Sequence, residues 1–138
     1  MGITLAANEN VKVFNLNSMT PEQEAELKNI RAEEQHLTEV LKNDYDTALL
    51  FCWQHAQGGR AKSSGERTLA GVLLSLYDGH KYPIGLSDLL RLCEQWRVAA
   101  TTIIMCWEGD RDVARLKERF GILEWRKFLD DNKYRENI

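Results

Sequence analysis

The residues best placed to do chemistry lie together in one short stretch. From 58 to 67 the chain reads Gly-Gly-Arg-Ala-Lys-Ser-Ser-Gly-Glu-Arg, setting Arg60, Lys62 and Arg67 around Ser63, Ser64 and Gly65. The first backbone N–H groups of a helix have no intrahelical acceptor, and flanking cations add attraction. A helix starting here would therefore offer a site for an anion, or for an anionic group on a partner. A phosphate-binding loop of the Gly-Lys-Ser/Thr kind is excluded, because no lysine follows Gly65. The competing reading is a solvated linker between two helices.

The remaining chemistry is thinner. Cys52 and His55 stand three apart, a permissible spacing for two metal ligands on one helix. Zinc needs about four ligands, and His80, Cys93 and Cys106 supply no second close pair, so no metal and no cofactor are expected. His36, His55 and His80 occur singly, without a neighbouring nucleophile, so no catalytic residue is assigned and the chain reads as non-enzymatic. The three cysteines are odd in number and widely spaced within apolar runs, which reads as buried, reduced thiols. Trp96, Trp107, Trp125 and Phe128 are of the type enriched at binding hot spots. Trp107 reads as core, whereas Trp125 and Phe128, set among charged residues, fit either core or a partner-binding surface.

Helices must position these groups. Thr20, Pro21 and Gln23 make a clear helix start, and Leu27, Ile30, Leu37 and Leu41 recur at helical spacing behind it. Residues 20–46 hold eight acidic and three basic side chains, so this helix carries an acidic outer face and a narrow apolar seam. Mimicry of nucleic-acid phosphates is the sharper reading of that face, and a net charge of only −3 weighs against it. Asn43-Asp44 breaks the chain, with Asp44 or Asp46 capping a second helix through Leu49, Cys52 and Ala56 that Gly58-Gly59 ends.

Ser63 with Glu66 has capping-box spacing, Ser64 being the rival cap, ahead of a stripe of Leu69, Val72, Leu73, Leu76 and Tyr77. Asp78-Gly79 stops that helix, glycine tolerating left-handed geometry. Ser87-Asp88 can cap a short helix, and a break near Glu94–Trp96 separates it from Val98–Trp107, although one long helix also fits the stripe. Val98–Trp107 is apolar on most sides and is expected to be the buried central helix. Asp110 can cap the next helix, Gly121 ends it, and a final short helix precedes a polar tail from Asp130.

Ser64-Gly65-Glu66-Arg67, Ala70, Val72-Leu73-Leu74, Tyr77-Asp78-Gly79 and Leu86-Ser87-Asp88-Leu89 together resemble a family of short bacterial proteins carried on plasmids, phages and other mobile elements. The family pattern has Gly-Gln at Gly65-Glu66 and Leu-Thr-Asp-Leu at Leu86–Leu89. The resemblance covers the middle third of the chain. It implies a mobile-element origin and a small helical domain, and no activity or catalytic residue.

At 138 residues, 43% hydrophobic and 28% charged, the chain can bury a core without staples. Two prolines and few alternating runs point to an all-α class, a compact bundle of five to seven helices around a central apolar helix. The exception is Val11–Leu16, whose alternation suggests a short strand in a flexible segment 1–17, ahead of a single helical domain 18–138. No signal peptide or membrane-length apolar run is present, so a cytoplasmic protein is expected. The expected function is a non-catalytic interaction module of a mobile element, as monomer or homodimer. Its partner would be a host protein or complex, as for a counter-defence, anti-CRISPR-like inhibitor. The alternative is a nucleic-acid-binding regulator. It would use a helix-turn-helix-like pair from Ser87 onward, with Arg60, Lys62, Arg67, Lys81, Arg91 and Arg97 on phosphates.

Overall fold

A computed structural model describes residues 19–136, and every described element is helical. The suggested strand at 11–16 and the segment 1–17 lie outside these residues. Seven α-helices are present among the described residues: α1 (Pro21–Asn43), α2 (Tyr45–Ala56), α3 (Ser64–Tyr77), α4 (Leu86–Leu90), α5 (Glu94–Cys106), α6 (Asp110–Phe120) and α7 (Ile122–Asp131). Single 3₁₀ turns follow α2 at Gly59–Ala61 and α7 at Lys133–Arg135. The chain divides into two units, residues 1–36 and 37–138, the boundary falling inside α1.

In the first unit α1 begins as its sequence dictates. The Thr20 hydroxyl accepts from the Gln23 N–H, and the Gln23 side chain accepts from the Thr20 N–H. Glu22 and Glu24 occupy the first turn, where the helix dipole favours negative charge.

The second unit is organised around α3. Six consecutive residues, Leu69 to Leu74, are buried, so α3 is enclosed on all sides, and it is the central apolar helix of the bundle. Each fully buried leucine contributes about 1.5–3 kcal/mol of transfer free energy. α2 packs against both α3 and α5. Its contact ridge is Ala48, Cys52 and Ala56, small side chains at every fourth position that let backbones approach closely.

The expectation that Val98–Trp107 would be central is corrected. Ile103 is fully buried, but Ile104 is 40% and Met105 78% exposed. α5 buries one face, Ala99, Ala100, Thr102 and Ile103, and turns the other outward. The break before it also falls earlier than expected, over Arg91–Cys93.

Several helix ends differ from the sequence reading in mechanism. α3 stops at Tyr77, but Gly79 is not among the left-handed glycines, which are Gly58, Gly59, Gly109 and Gly121. Asp78 makes the stop: its carboxylate accepts from the Lys81 N–H and its carbonyl from the Tyr82 N–H. Ser87 and Asp88 do not cap α4, which starts after Gly85 without a side-chain cap. The buried Asp112 carboxylate reaches back to the Glu108 N–H ahead of α6. Asp44, Ser63–Glu66, Gly58 and Gly121 act where the sequence placed them.

α6 and α7 are joined to the core by aromatic packing. Trp53 of α2 stacks on Phe120 at 4.3 Å between ring centroids, and lies 5.9 Å from Trp125 and 5.1 Å from Phe128. Tyr77 of α3 meets Trp125 edge-on at 5.2 Å. Packing of this kind adds about 0.5–1.5 kcal/mol per pair beyond area burial. An Arg119–Asp46 ion pair of 2.6 Å ties the end of α6 to the start of α2.

Candidate functional site

Two left-handed glycines turn the chain from α2 towards α3. A Cβ on Gly59 would stand 2.7 Å from the Asp131 carbonyl oxygen, so only glycine lets this turn close against the end of α7. The turn delivers Arg60. Immediately afterwards the Ser63–Glu66 capping box starts α3, whose first turns deliver Ser64, Arg67 and Thr68. The C-terminal 3₁₀ turn brings Tyr134 and Arg135 to the same place, and the α3–α4 loop adds Pro83 and Ile84. These groups, with Asp88 of α4, line an open cleft of about 420 Å³.

Each arginine is fixed by neutral acceptors. The Arg60 guanidinium lies 4.0 Å from the centre of the Tyr134 ring. Arg67 donates to the Arg60 carbonyl. Arg135 donates from Nε to the Asn132 side-chain oxygen and the Tyr134 hydroxyl, and from Nη2 to the Arg67 carbonyl. Asn132 is itself fully buried and donates to the Phe128 carbonyl at 2.8 Å, which anchors the assembly in α7. Gly71 leaves room for it, since a Cβ there would lie 3.1 Å from Arg135 Nη1. Tyr82, the buried residue of the same α3–α4 loop, donates to Glu136, which also pairs with Lys81 at 3.3 Å.

The charge is unbalanced. The ion pairs between described residues use Lys62, Lys81, Arg115 and Arg119. Arg60, Arg67 and Arg135 have no carboxylate partner among the described residues, and Asp88 is the single carboxylate in the lining. Guanidinium groups stay protonated at any working pH, so the cleft carries a permanent positive potential. A smaller hollow of about 150 Å³ shares Ser64, Thr68 and Asp88 and adds Arg91.

Two other hollows are charge-balanced. One of about 440 Å³ lies between α2 and α6, where Arg119 pairs with Asp46. Beside it Arg115 pairs with Asp112, and burial beside that carboxylate pushes the Tyr45 hydroxyl pKa up. The other, about 430 Å³, lies between the end of α1 and α5, with Glu39 and Glu94 facing Lys42 and Arg97.

Of the five residues expected to bind an anion or a partner, Arg60, Ser64 and Arg67 come together. Lys62 does not: it pairs with Glu66 at 3.5 Å and lies against Gly58. The Ser63 hydroxyl is committed to Glu66 in the capping box. Tyr134 and Arg135 were missed, the tail having read as polar and unpacked. The available signal was an aromatic–cation dipeptide one turn beyond Leu129. Trp125 and Phe128 are corrected as partner-binding residues: at 2% and 1% exposure both belong to the core, packed on Trp53 and on each other.

The remaining sequence candidates are scattered. Cys52 is buried in the core, and burial pushes its thiol up to about 12, whereas Cys93 and Cys106 are exposed, against the expectation of three buried thiols. The His55 ring packs between Phe51 and Trp96 at 4.5 and 4.8 Å. No group of three or more His, Cys, Asp or Glu is placed to hold a metal among the described residues. No described helix is long and apolar enough to cross a membrane. Of the cations assigned to a nucleic-acid surface, Arg60 and Arg67 share the cleft, Arg91 lies beside Asp88 in the hollow adjoining it, Lys62 and Lys81 pair with Glu66 and Glu136, and Arg97 lines a different hollow with Glu94. No family model, no curated protein and no solved structure matches the chain.

Proposed function

We propose that this chain is a non-catalytic, cytoplasmic interaction module of a mobile genetic element, and that the arginine-lined cleft grips an anionic group on a host protein or protein complex. One observation carries the reading. Three guanidinium groups line one cleft, oriented by carbonyls, an amide and a phenol ring, with no ion pair to a carboxylate among the described residues and Asp88 the single carboxylate in the lining. Gathering like charges is unfavourable, and an anion from outside relieves it with charge-assisted hydrogen bonds. Mobile-element origin, and the specific version in which the partner is a CRISPR-type effector complex, rest on the resemblance at Ser64–Leu89. A nucleic-acid partner is less well supported, because residues 37–138 hold fifteen Lys and Arg against fifteen Asp and Glu, with no basic excess.

The test is capture from a bacterial lysate on immobilised wild-type protein and on Arg60→Glu and Arg67→Glu, with circular dichroism to verify folding. A stoichiometric protein retained by wild type and lost by the reversed-charge variants is the expected result. Absence of a stoichiometric partner, or equal retention by the folded variants, refutes the proposal. Retention of nucleic acid instead, falling steeply with salt, would select the regulator reading.

A further inference from the structure

We infer that the cleft is shaped for a phosphate monoester displayed on a side chain of the partner protein; this rests on the cleft being the interaction surface proposed above. The charge count points to a dianion. Arg60, Arg67 and Arg135 face the single carboxylate of Asp88, an excess that a phosphate monoester matches at neutral pH and a lone carboxylate does not.

The donor count agrees. Arg135 engages Asn132, Tyr134 and the Arg67 carbonyl through Nε and Nη2, so those contacts orient its guanidinium without using all five of its N–H groups. Arg67 is oriented in the same way through Nη1, and Arg60 by the Tyr134 ring. With Ser64 alongside, the site presents more donors than one carboxylate accepts, whereas a phosphoryl group offers three acceptor oxygens. Because each arginine is already held, binding requires little further ordering of these long side chains.

The surroundings favour a protein carrier over a polyanion. The cleft is open, with Pro83 and Ile84 as an apolar margin for a flanking side chain. The positive charge is local: beyond the cleft it extends to Arg91 in the adjoining hollow, which shares Asp88, while Lys62, Lys81 and Arg97 each stand beside a glutamate. Recognition of a phosphorylated side chain by an arginine cluster needs only such a local site.

The test uses the full chain and four probes at matched ionic strength: inorganic phosphate, a degenerate phosphoserine peptide pool, the same pool unphosphorylated, and a 5′-phosphorylated single-stranded oligonucleotide. Arginine Nε–Hε resonances in NMR spectra report occupancy, and thermal shift reports affinity. Inorganic phosphate should move the resonances of Arg60, Arg67 and Arg135 where chloride does not, and the phosphopeptide pool should bind more tightly still. Arg60→Glu, whose exposed side chain leaves the core untouched, should weaken phosphate binding about tenfold or more. Indistinguishable effects of phosphate and chloride, or unchanged binding in Arg60→Glu, would overturn the inference. Tighter binding of the oligonucleotide than of the phosphopeptides would overturn the protein source. Capture after phosphatase treatment of the lysate separates the two proposals. A partner still captured by wild type but not by Arg60→Glu leaves the interaction surface standing and removes the phosphate.

Discussion

Asn132 is the residue through which the core holds the cleft, and Asn132→Ala tests that connection. Its side chain is fully buried, donates to the Phe128 carbonyl at 2.8 Å and accepts from Arg135 Nε at 3.2 Å. Neither neighbour is orphaned by the substitution. The Phe128 carbonyl still accepts from the Asn132 backbone N–H at 3.2 Å, and Arg135 Nε still reaches the Tyr134 hydroxyl at 3.1 Å. The loss is therefore two net hydrogen bonds of about 1 kcal/mol each, without a full desolvation penalty. An amide-sized void adds about 1 kcal/mol more. A destabilisation of about 2–3 kcal/mol lowers Tm by on the order of 10 °C in a chain of this size. Urea and thermal unfolding measure it, and a double-mutant cycle with Arg135→Ala isolates the link. Contacting residues in one network couple by at least about 0.5 kcal/mol. A variant as stable as wild type, or strict additivity with Arg135→Ala, would show that Asn132 neither supports the last turn nor orients Arg135.

Further expectations follow from individual contacts. Gly59→Ala, at φ +55 and with its Cβ 2.7 Å from the Asp131 carbonyl oxygen, should lose about 2–4 kcal/mol in urea unfolding from backbone strain and overpacking; a loss below about 0.5 kcal/mol would contradict the close approach. Phe128→Ala should lose about 3–5 kcal/mol by the same measurement, as for a buried aromatic, and a surface-sized effect would put Phe128 back at an interface. With a thiol reagent at neutral pH, Cys93 and Cys106 should react in the native protein and Cys52, raised to about 12, only on unfolding; three fast thiols would refute the packing of α2 on α3. The Ser63 hydroxyl holds the Glu66 carboxyl below its ordinary 4.5, so the contribution of this pair to stability is complete above that pH and lost as pH falls through the lower folded value. Ser63→Ala should accordingly lower Tm at pH 7, and the gap to wild type should narrow in acid to what the cap bond from the Glu66 N–H leaves; a gap that widens in acid would reverse the assignment.

The starts of α1, α2 and α3 and the end of α2 were legible because they are written in local chemistry. Thr20 with Gln23, Asp44, Ser63 with Glu66, and Gly58 each act within four residues of themselves. Which helix is enclosed was not legible. Val98–Trp107 and Leu69–Tyr77 are similarly apolar, interrupted by Thr101 and Thr102 in the one and Ser75 in the other, and burial is decided by what stands on each side. The residues on the buried ridge of α2 are alanines and a cysteine, with little hydropathic signal. Half of the cleft was visible for the same local reason, as Arg60, Ser64 and Arg67 lie within eight residues. Arg135 reaches the Arg67 carbonyl across 68 positions of sequence, through an asparagine that reads as surface. No pattern of period or spacing encodes a contact of that range.

That long reach has a bearing on the order of events during synthesis. A ribosome releases Arg60 and Arg67 long before Tyr134 and Arg135, so a nascent chain with its leucine interior already gathered shows only two of the three cations. The third cation of the cleft is thus added 68 residues after Arg67, and a chain lacking Tyr134 and Arg135 would lose both the ring beside Arg60 and the donor to the Arg67 carbonyl.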